Sequence, residues 1–176
     1  MSIRSFEGNA PEIDSTAFVD ESAVVIGRVK LAAEVSIWPL VVIRGDVNFI
    51  EVGARSNVQD GTIVHCTSPT ADLPDGYATI IGDDVTVGHQ AIIHGCTIGH
   101  HCLIGMGATL MDGAVIEPYT IIGAGALVPP GKQLGSGLWV GAPAKRVRDL
   151  TDDERSMLGS HARHYVKLHH RHSGRT

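Results

Sequence analysis

Aliphatic residues recur along most of this chain at intervals of six, a spacing that matches neither common secondary structure. A helix repeats apolar residues about every 3.6 positions, and a half-buried strand repeats them every second position. The interval departs from six at three places, after Ile43, after Val64 and after Ile93. The repeating residues, here called anchors, are Val25, Leu31, Ile37, Ile43, Val52, Val58, Val64, Ile81, Val87, Ile93, Ile98, Ile104, Leu110, Ile116, Ile122 and Val128.

The positions between the anchors follow a pattern of their own. A small or β-branched residue lies four positions beyond each anchor, as at Val29 and Ala108, and glycine often follows the anchor directly, as at Gly82 and Gly88. A six-residue repeat of this kind is typical of a parallel β-helix, with three short strands and about 18 residues per turn. The sequence therefore predicts an all-β solenoid of hexapeptide repeats.

The ends of the chain suggest two parts. Residues 1–148 are expected to form the hexapeptide-repeat β-helix, with an irregular cap around "APEID" at 10–14. Residues 149–176 are expected to form a C-terminal helix and tail that pack on the β-helix. Thr151 and Glu154 have the T-x-x-E spacing of a capping box. Apolar residues follow at helical spacing, at Met157, Leu158, Tyr165 and Leu168.

The period also predicts which residues are neighbours on successive coils. Anchors three steps apart share a face, so Ile43, Val64 and Ile93 should stack, provided that the long step after Val64 is a looped-out segment. Neighbouring strands lie about 4.8 Å apart. His65 and His94, which directly follow the last two of these anchors, are therefore predicted to form a ladder pair that can reach one metal ion.

A third histidine, His89, lies two residues beyond Val87 and therefore belongs to a different face. Within one chain it is not expected to join His65 and His94. In a threefold-symmetric trimer of such prisms, that face could meet the first face of a neighbour. Three histidines would then converge at each interface, two from one chain and one from the next.

The remaining histidines and the cysteines have simpler interpretations. His100 and His101 are expected to be solvated turn residues. The last helix and tail contain five histidines that are read as a polar face or frayed end, His161, His164, His169, His170 and His172. Three cysteines without C-x-x-C spacing are read as reduced structural thiols, Cys66, Cys96 and Cys102.

Charge and hydropathy exclude several classes of protein. The chain has 14 Lys and Arg against 19 Asp and Glu, a formal net charge of -5, which argues against binding of nucleic acid or of an anionic membrane. No stretch reaches 18 apolar residues, and "MSIRSFEGNAPEID" lacks an apolar segment. We therefore expect a soluble cytoplasmic protein.

Four stretches carry a resemblance to a known family. They are "IRGDVN" (43–48), "NVQDGTIVH" (57–65), "GHQAIIHGC" (88–96) and "GAPAK" (141–145). With them the sequence resembles the γ-class carbonic anhydrases and their bacterial homologues. That resemblance implies a left-handed β-helix that forms a homotrimer, with a zinc or iron site at each subunit interface.

The resemblance also implies a role for individual residues. His65, His89 and His94 match the metal ligands, with His89 supplied by the neighbouring subunit. Arg44 and Asp46 match an R-G-D element whose ion pair crosses the interface. Gln59 matches a glutamine near the metal-bound water, with Asn57 and Asp60 as its partners. Tyr165 matches a tyrosine that reaches the pocket from the last helix.

The implied reaction is the reversible hydration of CO2 to bicarbonate by a metal-bound hydroxide. Three neutral imidazoles leave an open coordination position, which is the arrangement of a catalytic zinc site. Zn²⁺ is the expected metal, although Fe²⁺ and Co²⁺ accept the same ligands. The chain has Val47 where the prototype has glutamate, and its loop after His65 offers only Asp72 and Asp75. Without a proton-shuttling glutamate, hydration is expected to be weak.

Three other functions fit parts of the same pattern. A zinc-hydroxide thioesterase or hydrolase acting on acyl-CoA or ester substrates would use the same site. A metal-bearing trimer without catalysis would also need the ligands. A hexapeptide acyltransferase would share "VPPG" and "GAPAK" near the end of the repeats, but it needs a single histidine base and no metal.

Overall fold

The computed structural model describes residues 2–174, and over these residues the chain winds as a parallel β-solenoid followed by a helix. The strands are β1 (Ser2–Arg4), β2 (Glu12–Ile13), β3 (Phe18–Val19), β4 (Val24–Leu31), β5 (Ser36–Ile37), β6 (Val42–Val52), β7 (Asn57–Val58), β8 (Ile63–His65), β9 (Thr79–Ile81), β10 (Thr86–Val87), β11 (Ile92–His94), β12 (Thr97–Ile98), β13 (Leu103–Ile104), β14 (Thr109–Leu110), β15 (Val115–Ile116), β16 (Thr120–Ile122), β17 (Leu127–Val128), β18 (Gln133–Leu134), β19 (Gly137–Val140) and β20 (Lys145–Arg148). The helix is α1 (Asp152–His172).

Two sheets form the three sides of the prism. The 8-stranded sheet is one side, and the 12-stranded sheet covers two sides because β4 and β6 are long enough to cross the corner between them. Neighbouring strands of the solenoid pair in parallel, and the antiparallel pair of β19 with β20 ends it. The fold predicted from the six-residue period is confirmed.

Each side has a row of outward-facing residues that differs in chemistry. The first side, here the histidine face, carries the row Val24, Val42, Ile63, Ile92, Thr109 and Leu127. The second side, here the polar face, carries Glu12, Lys30, Glu51, Ile80, Thr97, Val115 and Gln133. The third side, here the helix face, carries Phe18, Ser36, Asn57, Thr86, Leu103, Ile121 and Leu138.

The anchors point inward and stack in register from coil to coil. Ile43 pairs with Val64, and Val64 pairs with Ile93, as the period predicts. All three side chains are fully buried. Burying an aliphatic side chain of this size contributes about 1.5–3 kcal/mol each, so these stacked rows are the main source of stability.

The longest interruption of the period has a clear structural cause. The long step after Val64 is a loop over residues 66–78, closed by a bridge between Thr67 and Tyr77. Asn48 ties this loop to the coil, since its Nδ2 donates to the carbonyls of Thr67 and Asp75.

The predicted irregular cap is wrong at Glu12–Ile13, which is a strand paired with β4.

Helix α1 begins with the predicted capping box of Thr151 and Glu154 and packs on the helix face through Leu158. The interpretation of its histidines as polar surface is wrong for His169, which is fully buried. Within residues 2–174, no helix combines the length and the apolar character that crossing a membrane requires.

The three cysteines are free and buried. Burial raises the pKa of Cys66, and it raises the pKa of both Cys96 and Cys102 to about 12. Since the thiolate is the reactive form, these thiols are unreactive at neutral pH and serve as small apolar groups of the core.

Candidate metal centre

The centre of the candidate site is the pair of imidazoles at the end of the histidine face. His65 and His94 are ladder partners on β8 and β11. Their ring centroids lie 5.1 Å apart, and His65 Nδ1 faces His94 Nε2 at 3.1 Å. Two nitrogens bound to one tetrahedral zinc at about 2.0–2.1 Å are about 3.3 Å apart. The two rings therefore already have the spacing of ligands on a single ion.

The outer nitrogen of His65 is held by a carboxylate. His65 Nε2 lies 3.1 Å from Asp46 Oδ1, and the other oxygen of Asp46 accepts a bond from Arg44 at 2.5 Å. Burial raises the pKa of Asp46, but the bonds from Arg44 and His65 outweigh it and leave that pKa below its usual value. Asp46 is therefore an anion at neutral pH. Arg44 pairs here with Asp46 of its own chain.

A second carboxylate holds His94 in the same way. His94 Nδ1 lies 2.5 Å from Asp112 Oδ1. Gly95 makes room for this contact, since a Cβ added there would lie 2.5 Å from the same oxygen, and its φ is +55°. Asp112 does not figure among the residues predicted from the sequence. The available signal was its place two residues beyond Leu110, the anchor that pairs with Ile93.

These contacts determine which nitrogens of the pair can hold a cation. A carboxylate partner keeps the proton of a neutral imidazole on the nitrogen that it contacts. His65 Nδ1 and His94 Nε2 then both present lone pairs, which repel at 3.1 Å unless a cation lies between them. Burial lowers the pKa of His65 despite the opposing bond to Asp46, which disfavours a shared proton. The residues therefore fit a metal ion.

His89 lies at another corner of the coil. It follows β10, and its Nδ1 contacts Asp60 Oδ2 at 2.9 Å, which leaves Nε2 as the nitrogen available for a ligand bond. Its side chain is 46% exposed. Among residues 2–174, the structure does not gather the ligand atoms of His65, His89 and His94 within 4.8 Å of one another. Within one chain the site therefore has two of its three predicted ligands.

The predicted residues Gln59 and Tyr165 lie together between the helix face and α1. Gln59 is nearly buried, and its Nε2 donates to Asn57 Oδ1, while Asn57 Nδ2 donates to Thr86 Oγ1. Tyr165 lines the same groove as Gln59, and burial raises the pKa of Tyr165 above its usual value. Tyr165 also packs edge-on against Trp38 at 5.7 Å. The hydroxyl is therefore a neutral hydrogen-bonding group.

A groove of about 520 Å³ runs beside these residues under α1. His89, Gln59 and Tyr165 lie along it, and its other walls are mostly apolar, from Leu103, Ile121 and their neighbours. Such a groove can receive an apolar group that ends next to His89.

The chain is similar to several known proteins. The family described as bacterial transferase hexapeptide (six repeats) matches residues 78–110 and 95–130. Protein YrdA of Escherichia coli K12 is 50% identical over 166 residues, which cover 94% of this chain and 90% of that protein. The mitochondrial gamma carbonic anhydrase 2 of Arabidopsis thaliana is 45% identical, and the match covers 90% of this chain and 57% of that protein.

A solved structure agrees with these sequence matches. The hexapeptide transferase family protein of Anaplasma phagocytophilum superposes with a TM-score of 0.88 at 41% identity, covering 96% of each chain. The fold of nearly the whole chain is thus shared with a relative of 41% identity. The hexapeptide repeats, the ladder of two histidines and these relatives together show that the chain belongs to the γ-carbonic-anhydrase-like family of hexapeptide-repeat proteins.

Proposed function

We propose that this protein is a metal-dependent γ-class carbonic anhydrase that hydrates CO2 reversibly at centres shared between the subunits of a homotrimer. The observation that carries the proposal is the pair of facing nitrogens on His65 and His94, each ring fixed by its own carboxylate. A hydrogen-bonded surface pair would not need two carboxylates. A metal site does, because these partners orient the ligands and raise their basicity.

The third ligand supports the homotrimer. His89 keeps Nε2 available at a corner that does not meet His65 in the same chain. The histidine face, which ends at the ladder, exposes Ile63 at 40% and Ile92 at 44% and has no charged residue in its outward row. An apolar face of this kind favours contact with another subunit. A threefold arrangement would bury this face and bring a partner's histidine to each ladder.

The metal and the residues around it would have separate roles in the reaction. Zn²⁺, or Fe²⁺ or Co²⁺, held by the three histidines would supply Lewis acidity that makes a water nucleophilic near neutral pH. Gln59 has its Nε2 engaged by Asn57, so its Oε1 remains to accept a hydrogen bond from a reacting water and orient it. Tyr165 lines the same groove as that amide. Arg44 keeps Asp46 charged and in contact with His65.

Proton release is the step that the chain supports least. The position after Asp46 is Val47, and the carboxylates of the loop after His65 are Asp72 and Asp75, which are both exposed. The loop is tied to the coil at the carbonyl of Asp75. We therefore expect hydration to be limited by proton transfer and to accelerate when a buffer carries the proton.

Stopped-flow CO2 hydration on metal-quantified protein, with and without imidazole buffer, tests the proposal. We expect activity that rises with imidazole. In His94→Ala the activity and the one metal ion of this centre should be lost, while circular dichroism stays that of a folded solenoid because the core anchors are untouched. A metal content unchanged by His94→Ala would rule out the centre. Metal-loaded protein that is inactive in both buffers would rule out the anhydrase activity.

The groove favours a second function, hydrolysis of a thioester or ester by the same centre. CO2 needs no apolar groove of about 520 Å³, whereas an acyl group would fill it beside His89. Thiol release from acyl thioesters of increasing chain length tests this function. Hydrolysis that rises with acyl length and is lost in the groove variant Ala124→Trp, with CO2 hydration retained, would support it. Rates independent of acyl length would contradict it.

A further inference from the structure

A second cluster of metal-binding side chains joins the end of helix α1 to the coil. His169 Nε2 lies 3.1 Å from Glu34 Oε2, and His170 Nε2 lies 2.7 Å from the same oxygen. The three ligand atoms all lie within 4.8 Å of one another. We call these three residues the helix-end cluster. It does not include any residue of the candidate centre at His65 and His94.

The geometry of the cluster is not that of solvated surface histidines. Side chains at consecutive helix positions point about 100° apart, yet both Nε2 atoms converge on one oxygen. The His169 ring is fully buried and stacks on Phe18 with an interplanar angle of 18°, and the His170 ring stands at 89° to it. Packing therefore holds the two rings in place.

Solvent access to the helix-end cluster and the electrostatic potential around it both favour binding of a cation. Glu34 is 28% exposed and His170 is 37% exposed at the side chain, so an ion can enter from solvent and keep water in its open positions. The cluster lies in the last turn of α1. The carbonyls at the C-terminal end of a helix carry partial negative charge, which favours a cation there.

We propose that Glu34, His169 and His170 form a second site for a divalent transition metal ion of the zinc class. Two imidazoles and one carboxylate are a donor set that binds Zn²⁺ with a coordination position left for water. The ion would replace the hydrogen bonds to Glu34 and bridge the coil to the end of α1. The ion would thereby hold the end of α1, the helix that carries Tyr165, against the coil.

The test measures zinc in chains that lack the first centre. Full-length His94→Ala, loaded with zinc chloride and then desalted, should retain about one ion per chain, and zinc should raise its thermal midpoint by about 2–4 °C. Adding Glu34→Gln, which keeps the shape of the side chain, should remove both the ion and the shift. Adding His170→Ala provides a second route to the same loss, since that ring is partly exposed.

A histidine on the same turn provides the control. His172 packs edge-on against Trp38 at 5.1 Å, whereas the hydrogen bonds and ion pairs of Glu34 with histidines among residues 2–174 go to His169 and His170. His172→Ala in the His94→Ala chain should therefore retain the ion. The proposal is overturned if His94→Ala holds no zinc, or if Glu34→Gln leaves zinc binding unchanged in folded protein, because Glu34 would then only dock the helix by hydrogen bonds. Neither outcome depends on whether the first centre hydrates CO2.

Discussion

The histidine face and the polar face are built from the same repeat and differ only in what they show to their surroundings. Their inward residues are buried aliphatic anchors in both cases. Outward, the polar face begins with the charged ladder Glu12, Lys30 and Glu51, whereas the histidine face presents Ile63 and Ile92. The strand pairing is parallel on both.

The contrast shows that inward and outward rows carry separate information. The inward row sets the coil, since every anchor must fill the space left by its neighbours. The outward row decides whether a face stays in water or meets another protein surface. The ladder of His65 and His94 lies at the end of the apolar face, so a subunit that covers this face also approaches the metal ligands. Assembly and metal binding are therefore expected to be coupled.

The largest expected effect comes from placing a charge on each face in turn. Ile92→Asp puts a carboxylate into the proposed interface, where burying it would be strongly unfavourable, so we expect monomers and a metal affinity of the centre at His65 and His94 lowered by about 10-fold or more. Ile80→Asp is the matched control, because Ile80 is 36% exposed in the outward row of the polar face, against 44% for Ile92. Analytical ultracentrifugation and metal analysis report both properties.

A result on either face could contradict the roles assigned to the two faces. Trimers that persist in Ile92→Asp would mean that the histidine face is not the contact surface. Monomers in Ile80→Asp would assign assembly to the polar face instead. If Ile92→Asp is monomeric but keeps its metal at full affinity, two ligands suffice and His89 is not shared between subunits.

A smaller effect is expected from the carboxylate behind His94. Asp112→Asn removes the charge that faces His94 Nδ1, and loss of such a partner lowers metal affinity by about 10–100-fold. The control is Asp83→Asn on the polar side. Asp83 lies 3.8 Å from His100, but His100 is not part of the facing pair of histidines that forms the centre. Competition with a coloured chelator measures both affinities. Equal affinity in Asp112→Asn and the parent would remove Asp112 from the site.

Much of the fold and part of the site could be read from spacing. The period placed His65 and His94 on one ladder because anchors three steps apart must stack, and it placed His89 on another face. The role of Asp112 was not predicted because its contact with His94 depends on the backbone turn at Gly95, which the six-residue repeat does not specify. The burial of His169 could not be predicted because a helical pattern does not show its contacts with Glu34 and Phe18, which lie far from it in sequence.

The smallest expected effect concerns the helix face. Because α1 covers this face, it is not available for contact with another subunit. The hydrogen bond from Arg148 and the cap at Thr151 lower the pKa of Glu154 from 4.5 to about 2. A lowered folded-state pKa contributes stability above the unfolded value, and that contribution is lost as the pH falls towards about 2. Glu154→Gln keeps the capping box and removes the charge. We expect its thermal midpoint to lie about 1 °C below the parent at pH 6 and to meet it near pH 2. A difference that stays constant over this range would mean that the cap, and not the ion pair, holds the start of α1.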